Sequence, residues 1–455
     1  MSSLEPTGAE LRALGEAVVD FVASFNDQLA ERPAVYPGEI DERLLDDLRL
    51  VDDPTGLGEL LPTIGRATDS GIESAGPRHF GYIPAGGLPT SALGQLIALA
   101  VNRYTAVADL TPGMVALEES VLRWLCDEFD LPRGAGGLLT AGGSGATLSA
   151  VVAARDALLG GDIASGTVYV SEHTHLCVAK SAHVAGLPPS AVRTVPVDGD
   201  LRIDPDALDR MLREDRAQGL RPFMIVGNAG TTDTGAVDPL EALSDLARRE
   251  GAWFHVDGAY GGAFQLTARG RERLRGVTQA DSIVLDPHKG LFMPYGVGAL
   301  LVRDASVLSA AHRHDAPYLQ DIDQLSGLPD YSDRGIELTR DPRGLRMWLP
   351  LRLHGIQAFR NALDEKLDLA ELAYERLAAD PRIDIPWRPP LSTLALRLKA
   401  GDDATRALFD EIRAEGRILL TSTSIRDRFH IRICVLAHRT HEAHVTEAVE
   451  RILAG

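Results

Sequence analysis

Between Gly137 and about Arg303, short apolar runs alternate with stretches whose apolar residues recur at helical spacing. The runs GTVYVSE, RPFMIVGNAG, AWFHVDGAY, SIVLDP and GALLVRD are rich in β-branched and aromatic residues and end in turn formers, which predicts strands. LEALSDLARREG, between two of them, has the three-and-four spacing of a helix. Strands that alternate with helices predict an α/β large domain on a mostly parallel sheet, covered on both faces. Ligands of such sheets sit outside the carboxyl ends of the strands. Upstream, LRALGEAVVDFVASFNDQLA reads as an amphipathic helix, and PAVYPGEI interrupts the pattern with two prolines. GPRHFGYIPAGGLPTS reads as loop, and TPGMVALEESVLRWLCDEF as a helix opened by Thr111 with Pro112 in its first turn. Beyond Trp348 a long helical region, LPLRLHGIQAFRNALDEKLDLAELAYERLAA, precedes the strand LSTLALRLKA, the helix ATRALFDEIRAEG, the strand RFHIRICVL and a terminal helix. That order predicts a small α+β C-terminal domain. The expected organisation is a helical N-terminal segment at 1–77, a large domain at 78–345 and the small domain at 346–455.

Composition narrows the function classes. At 455 residues the chain is too long for one ordinary core, in keeping with more than one domain. No apolar run reaches the roughly 20 residues of a membrane helix. The opening MSSLEPTGAE lacks the basic start and apolar stretch of a secretory signal, which predicts a cytoplasmic protein. The net charge of −19 argues against nucleic-acid and anionic-membrane partners. It still allows one small phosphate in a pocket of backbone N–H groups. Cys126, Cys177 and Cys434 are scattered, which suits neither a disulfide framework nor a zinc site and fits a reducing compartment.

Five segments carry candidate chemistry, each with a plainer reading beside it. In DSIVLDPHKGLF, Lys289 follows an apolar strand and shares its loop with Pro287, His288 and Gly290. Alone it reads as a solvated charge; partly desolvated, it suits Schiff-base chemistry. AWFHVDGAYGG closes a strand with Asp257. A carboxylate there needs a partner: a pyridinium N–H is one, and a cap on the following turn is the alternative. LLTAGGSGATLSAVV runs through Gly142, Gly143, Ser144 and Gly145 into a helix, where backbone N–H groups can hold a phosphate or simply make a turn. VYVSEHTHLCVAKSAHVAG carries His173, His175 and His183; without a metal-ligand pattern, one imidazole stacked on a cofactor ring stands against a half-buried structural histidine. GNAGTTDTGAVDPL brings Thr231 and Thr232 to a strand end, either toward a ligand or as caps for the helix beginning near Asp238.

In their order and spacing these segments resemble the group II decarboxylases dependent on pyridoxal 5′-phosphate (PLP), the family of the aromatic-L-amino-acid, glutamate, histidine and diaminobutyrate decarboxylases. The resemblance runs from about Arg78 to the end and includes HFGYIP, SEHTH, HVDGAYGG, DPHKG, LRMW and IRDRFHIRICVLAHRTHEAHV. It implies the fold type I, aspartate-aminotransferase-like architecture, PLP as cofactor, a small amino-acid substrate, no metal, and a homodimer with the pocket at the subunit interface. By position it makes Lys289 the Schiff-base lysine, Asp257 the pyridinium partner and His175 the stacking histidine. It puts Gly143 and Ser144 at the phosphate with His288 nearby, and Thr232 near the ring hydroxyl. Tyr331 resembles a mobile-loop tyrosine that helps protonate the product carbon, a position that tends to be Phe in relatives that yield aldehydes. Tyr295 falls where an aromatic residue crosses the dimer interface. The polar stretch HRHDAPYLQDIDQLSGLPDYSDRG around Tyr331 reads as a functional lid.

The sequence departs from the aromatic enzymes at five positions. Asp286 replaces the usual Asn before Pro-His-Lys, Gly290 replaces a Trp, Ile83 and Ala106 stand where Phe residues surround the substrate ring, and Ala85 replaces a Thr. The expected reaction is decarboxylation of an L-amino acid to its amine, with an aromatic substrate among the candidates. The alternatives are an aliphatic or acidic substrate, or a retro-aldol carbon–carbon lyase resembling sphingosine-phosphate lyase, where Asp-x-His-Lys also occurs; the third rival is a non-catalytic relative that keeps the fold.

Overall fold

The computed structural model describes residues 4–36, 40, 42–314 and 326–455. Its large sheet has seven strands: β1 Gly136–Thr140, β2 Gly166–Ser171, β3 Val192–Val195, β4 Arg221–Asn228, β5 Trp253–Gly258, β6 Ser282–Leu285 and β7 Gly298–Val302. Their spatial order is β1-β7-β6-β5-β4-β2-β3. The pairs from β3 across to β6 are parallel. β7 runs antiparallel to both β6 and β1, so β1 points the same way as the other five. The carboxyl ends of six strands therefore open on one edge.

The central strands are apolar along their length because helices cover both faces. The helix Gly143–Leu159 packs under β1 and β4 to β7 and presents Ala146, Ala150 and Ala153 to the main core. Side chains this small let its axis approach the sheet closely. The result is that the first turn of this helix is fixed directly at the strand ends.

A second sheet is antiparallel throughout: β8 Ile383–Asp384, β9 Thr393–Leu398, β10 Thr421–Ile425 and β11 Arg428–Cys434, ordered β10-β11-β9-β8. The helices Ile356–Ala378, Asp402–Glu415 and Glu442–Ala454 complete its core, with Leu369, Ile412, Ile431 and Val449 buried. Phe80 joins this core: its N–H donates to Leu419 and its carbonyl accepts from Cys434, both at 2.9 Å. The segment expected as plain loop is thus fastened to the small sheet near Phe80, and its last residues start a helix, Pro89–Val101, with Pro89 at the first helical position. The long helical region expected beyond Trp348 is present as two helices, Gly344–His354 and Ile356–Ala378. Gly355 breaks it with φ +74°, which glycine adopts without a Cβ penalty.

The N-terminal segment holds helices at Gly8–Gln28, Glu42–Asp47 and Leu57–Thr68. The first has a capping box between Thr7 and Glu10, yet buries none of its residues within the subunit. Leu11, Val18, Val19 and Val22 lie exposed on it, as do Leu93, Leu96, Ile97 and Leu99 on Pro89–Val101. Among the described residues no helix is long and apolar enough to cross a membrane.

Candidate active site

The carboxyl ends of β1, β2, β4, β5 and β6 converge on a cavity of about 380 Å³, lined by Gly142, Gly143, Ser144, His175, Thr232, Asp257, His288 and Lys289 among others. Strand register places its floor. Asp257 in β5 lies opposite Asn228 of β4 on one side and Val284 of β6 on the other. The Asp257 carboxylate is buried and accepts one backbone hydrogen bond, from Ala259 at 3.1 Å. Burial pushes its pKa up, against the pull of that hydrogen bond and of Lys289 and His175.

Lys289 is the third residue of the short helix Pro287–Gly290 just beyond β6, and its Nζ pairs with Asp286 Oδ2 at 2.8 Å. His288 donates from Nδ1 to the carbonyl of Val297 at 2.6 Å, so its Nε2 faces inward, 3.7 Å from Asp286. Burial lowers the pKa of His288. His175 accepts the Cys177 N–H at Nδ1, which puts the proton of the neutral ring on Nε2. Across the cavity, Gly143 begins its helix with a Cβ position only 3.0 Å from Asp286 Oδ2, and Gly142 has His288 at 3.5 Å. A side chain at 143 would fill this cradle. The first N–H groups of a helix lack partners within it, and with the positive end of the dipole they suit an anion.

The threonine turn is set from within. Thr231 and Thr234 hydroxyls bond each other at 2.6 Å and receive the Ala236 N–H, leaving Thr232 on the cavity wall. The threonines therefore do not cap the helix Leu240–Glu250. His173 pairs with Asp233 at 2.7 Å beside that turn, and His183 is exposed. Asn228, Thr147 and Cys177 also line the cavity, although sequence reasoning did not select them. For Asn228 the signal was available, since it ends β4 as Asp257 nears the end of β5. The Asn228 amide is held by Asp238 at 2.7 Å and Thr174 at 3.0 Å.

Two tyrosines stand apart. Tyr295 is 58% exposed, its ring centroid 5.7 Å from that of His288 at the rim. Tyr331 is not brought to the cavity of its own subunit: it is 1% exposed, its hydroxyl donates to Glu119 at 2.9 Å, and the Arg340 guanidinium lies 4.2 Å from its ring centroid. Of the stretch expected as a lid, 315–325 lie outside the described residues. The Gly290 departure has a packing reason, because a Cβ there would lie 2.3 Å from that of Ala263. Ile83, Ala85 and Ala106 are buried and none lines this cavity.

Residues 37–399 match the family model for the pyridoxal-dependent decarboxylase conserved domain. The chain belongs to this family. It is 31% identical over 465 residues to an aromatic-L-amino-acid decarboxylase of Bacillus atrophaeus, covering 99% of this chain and 96% of that one. A crystal structure of TDC from Oryza sativa with PLP and tryptamine is similar with a TM-score of 0.94 at 27% identity, over 99% of both chains. Tryptophan decarboxylase of Catharanthus roseus, in complex with L-tryptophan, has a TM-score of 0.92 at 27% identity, over 100% of this chain and 99% of that one. This protein is thus a PLP-dependent amino-acid decarboxylase of fold type I. Its cavity fits the cofactor on physical grounds: a buried carboxylate with one backbone donor, a glycine cradle at a helix start, and a lysine that lines the same cavity.

Proposed function

We propose that this decarboxylase converts an aromatic L-amino acid to its amine and carbon dioxide, with Lys289 carrying the PLP. The observation that carries the site assignment is that Lys289 and Asp257, from adjacent strand ends, face one cavity with the Gly142–Ser144 turn. The substrate class rests on the relatives named for aromatic amino acids, which also favours carboxylate loss over retro-aldol cleavage.

PLP, when bound, supplies an electron sink for the pair left on carbon as carbon dioxide departs. The protein's residues set the conditions for it. The Lys289 amine is the covalent anchor and the base within reach. The Asp257 carboxylate, poorly solvated, would hold a proton on the ring nitrogen, where positive charge is worth most. His175 and Thr232 would hold the ring, and the N–H groups at Gly143 and Ser144 would hold the phosphate with His288 beside them. Tyr331 returns the proton to the product carbon, which requires its hydroxyl to leave Glu119.

The working unit is a cytoplasmic homodimer. The bare apolar faces of Gly8–Gln28 and Pro89–Val101 support this, since monomeric proteins rarely leave such contiguous patches open. Tyr295, exposed at the cavity rim, is placed to meet the second subunit.

Purified enzyme incubated with L-tryptophan, L-tyrosine, L-phenylalanine, L-glutamate and L-ornithine should release amine from the aromatic substrates. Lys289→Ala should lose both the visible absorption band and turnover. Borohydride reduction should leave the pyridoxyl group on Lys289; finding it on Lys180 would reject the assignment.

A further inference from the structure

The anion seat already contains an acidic side chain. Asp286 is buried, and both its oxygens lie against Gly143, 3.0 and 3.2 Å from where a Cβ would be. Oδ2 is held by the Lys289 amine at 2.8 Å, while Oδ1 is buried and accepts no hydrogen bond from the described residues. A carboxylate therefore lies beside the N–H groups that would hold a doubly charged phosphate. Its charge is balanced here by Lys289. With its nitrogen bonded to the cofactor, Lys289 would no longer offer Asp286 a free ammonium.

The nearest other group cannot replace the lysine in its neutral form. His288 spends its Nδ1 proton on Val297, so neutral His288 turns only a lone pair toward Asp286, 3.7 Å away. With phosphate in the seat, three acceptors would converge without a hydrogen among them, at a cost characteristic of buried unpaired charge. One added proton, between Asp286 and Nε2 of His288, removes that conflict. It converts the pair from an obstacle into a donor toward the anion.

We propose that Asp286 and His288 form a proton-binding pair in the wall of the phosphate seat, and that holding the cofactor's phosphate takes up one proton from solvent on this pair. The proposal rests on the assignment of Lys289 and the Gly142–Ser144 turn as the PLP seat. Its consequence is that cofactor retention weakens as pH rises. Where the empty pair is unprotonated and the filled pair protonated, affinity falls by up to about tenfold per pH unit.

The other groups near the pair are Lys289 on its own turn, Asp257 from β5 with His175 beside it, Cys177 from the adjoining segment, and Tyr295 against the His288 ring. Burial lowers the pKa of His288, so the empty site holds it neutral and the proton arrives with the anion. Burial pushes the Cys177 thiol up to about 12 and raises that of Tyr295, so neither titrates near neutrality.

The test uses Lys289→Ala, which removes the lysine charge, and two probes that form no covalent bond. Pyridoxine 5′-phosphate has the phosphate without the aldehyde, and sulfate is a dianion whose charge is constant across the range. Calorimetry at pH 8 in buffers of different ionisation enthalpy should show Lys289→Ala taking up about one more proton per pyridoxine 5′-phosphate than Lys289→Ala/Asp286→Asn. Sulfate competition against Lys289→Ala alone should weaken several-fold per unit from pH 7 to 9, which needs no variant at 286. In the wild-type holoenzyme, PLP loss on dilution should quicken with pH, and Asp286→Asn should flatten that profile. Equal proton uptake in the two proteins, or a flat sulfate profile, overturns the proposal while leaving the seat intact. Failure of pyridoxine 5′-phosphate to bind at any pH, with no visible band in the wild type, overturns the seat itself.

Discussion

A carboxylate in the middle of a parallel sheet is costly unless something positive meets it, and at Asp257 the protein offers one backbone N–H at 3.1 Å and Lys289 farther off. In the proposed site the ring nitrogen of PLP is that partner. Asp257→Asn keeps the shape and removes the charge, so turnover should fall on the order of 10²- to 10³-fold, the scale of one preorganised electrostatic contact. Steady-state rates on the aromatic substrate check this, and a variant within a factor of two of wild type would reject the pairing. Residues of this kind were legible because each ends an apolar run: Asp257, Lys289, Thr232 and the Gly143–Ser144 turn all sit where a buried strand meets a polar stop. Cys177 and Thr147 were not, since both lie on helices whose facing side only the tertiary packing decides. Asp286 was legible as a departure, but its contact with Gly143 depends on β6 and β1 lying on either side of β7, an order the chain's pattern does not contain.

At the level of elements, the strands that form the cavity were readable from their apolar runs, while the reversal of β7 was not, because a short buried strand reads the same in either direction. The helix break at Gly355 and the helix start at Pro89 are backbone events that apolar spacing passes over. Gly290 shows how an element positions a functional side chain. The four-residue turn Pro287–Gly290 sits so near the segment after β5 that a Cβ at 290 would lie 2.3 Å from Ala263. Gly290→Ala should push this turn outward and carry Lys289 with it. We expect a loss of about 1–3 kcal/mol in stability, as for other overpacked sites, together with weaker PLP retention. Denaturant midpoints and visible absorbance measure the two effects; a variant unchanged in both would show that the turn yields without consequence.

At the scale of the molecule, two faces of the subunit are unfinished. Leu96 is 61% exposed and Val22 47%, each on a helix face that stays exposed among the described residues. Charging both, with Leu96→Glu and Val22→Glu, should leave the subunit folded and halve the mass seen by sedimentation, with loss of activity; an active monomer would remove the dimer from the proposal. Tyr331 poses the larger question. It is packed under Arg340 with its phenol bound to Glu119, and burial first, then the charges of Glu118 and Glu119, raise its pKa well above the ordinary value. The phenol is therefore kept protonated, as a proton donor must be, but it is held away from the cavity of its own subunit. To act as the acid it has to exchange Glu119 for the product carbon, since general acid catalysis works only within hydrogen-bond reach. Removing only the hydroxyl separates this role from packing. With Tyr331→Phe, cofactor binding and carbon dioxide release should persist, while slow protonation lets oxygen divert the reaction to aldehyde, ammonia and peroxide. If Tyr331 only holds the chain down, the variant loses its charge-assisted hydrogen bond, about 1.5–3 kcal/mol of stability at most, and makes amine at the wild-type rate without aldehyde. The amine-to-aldehyde ratio thus decides between the two roles, because a stability defect lowers both products together and leaves their ratio unchanged.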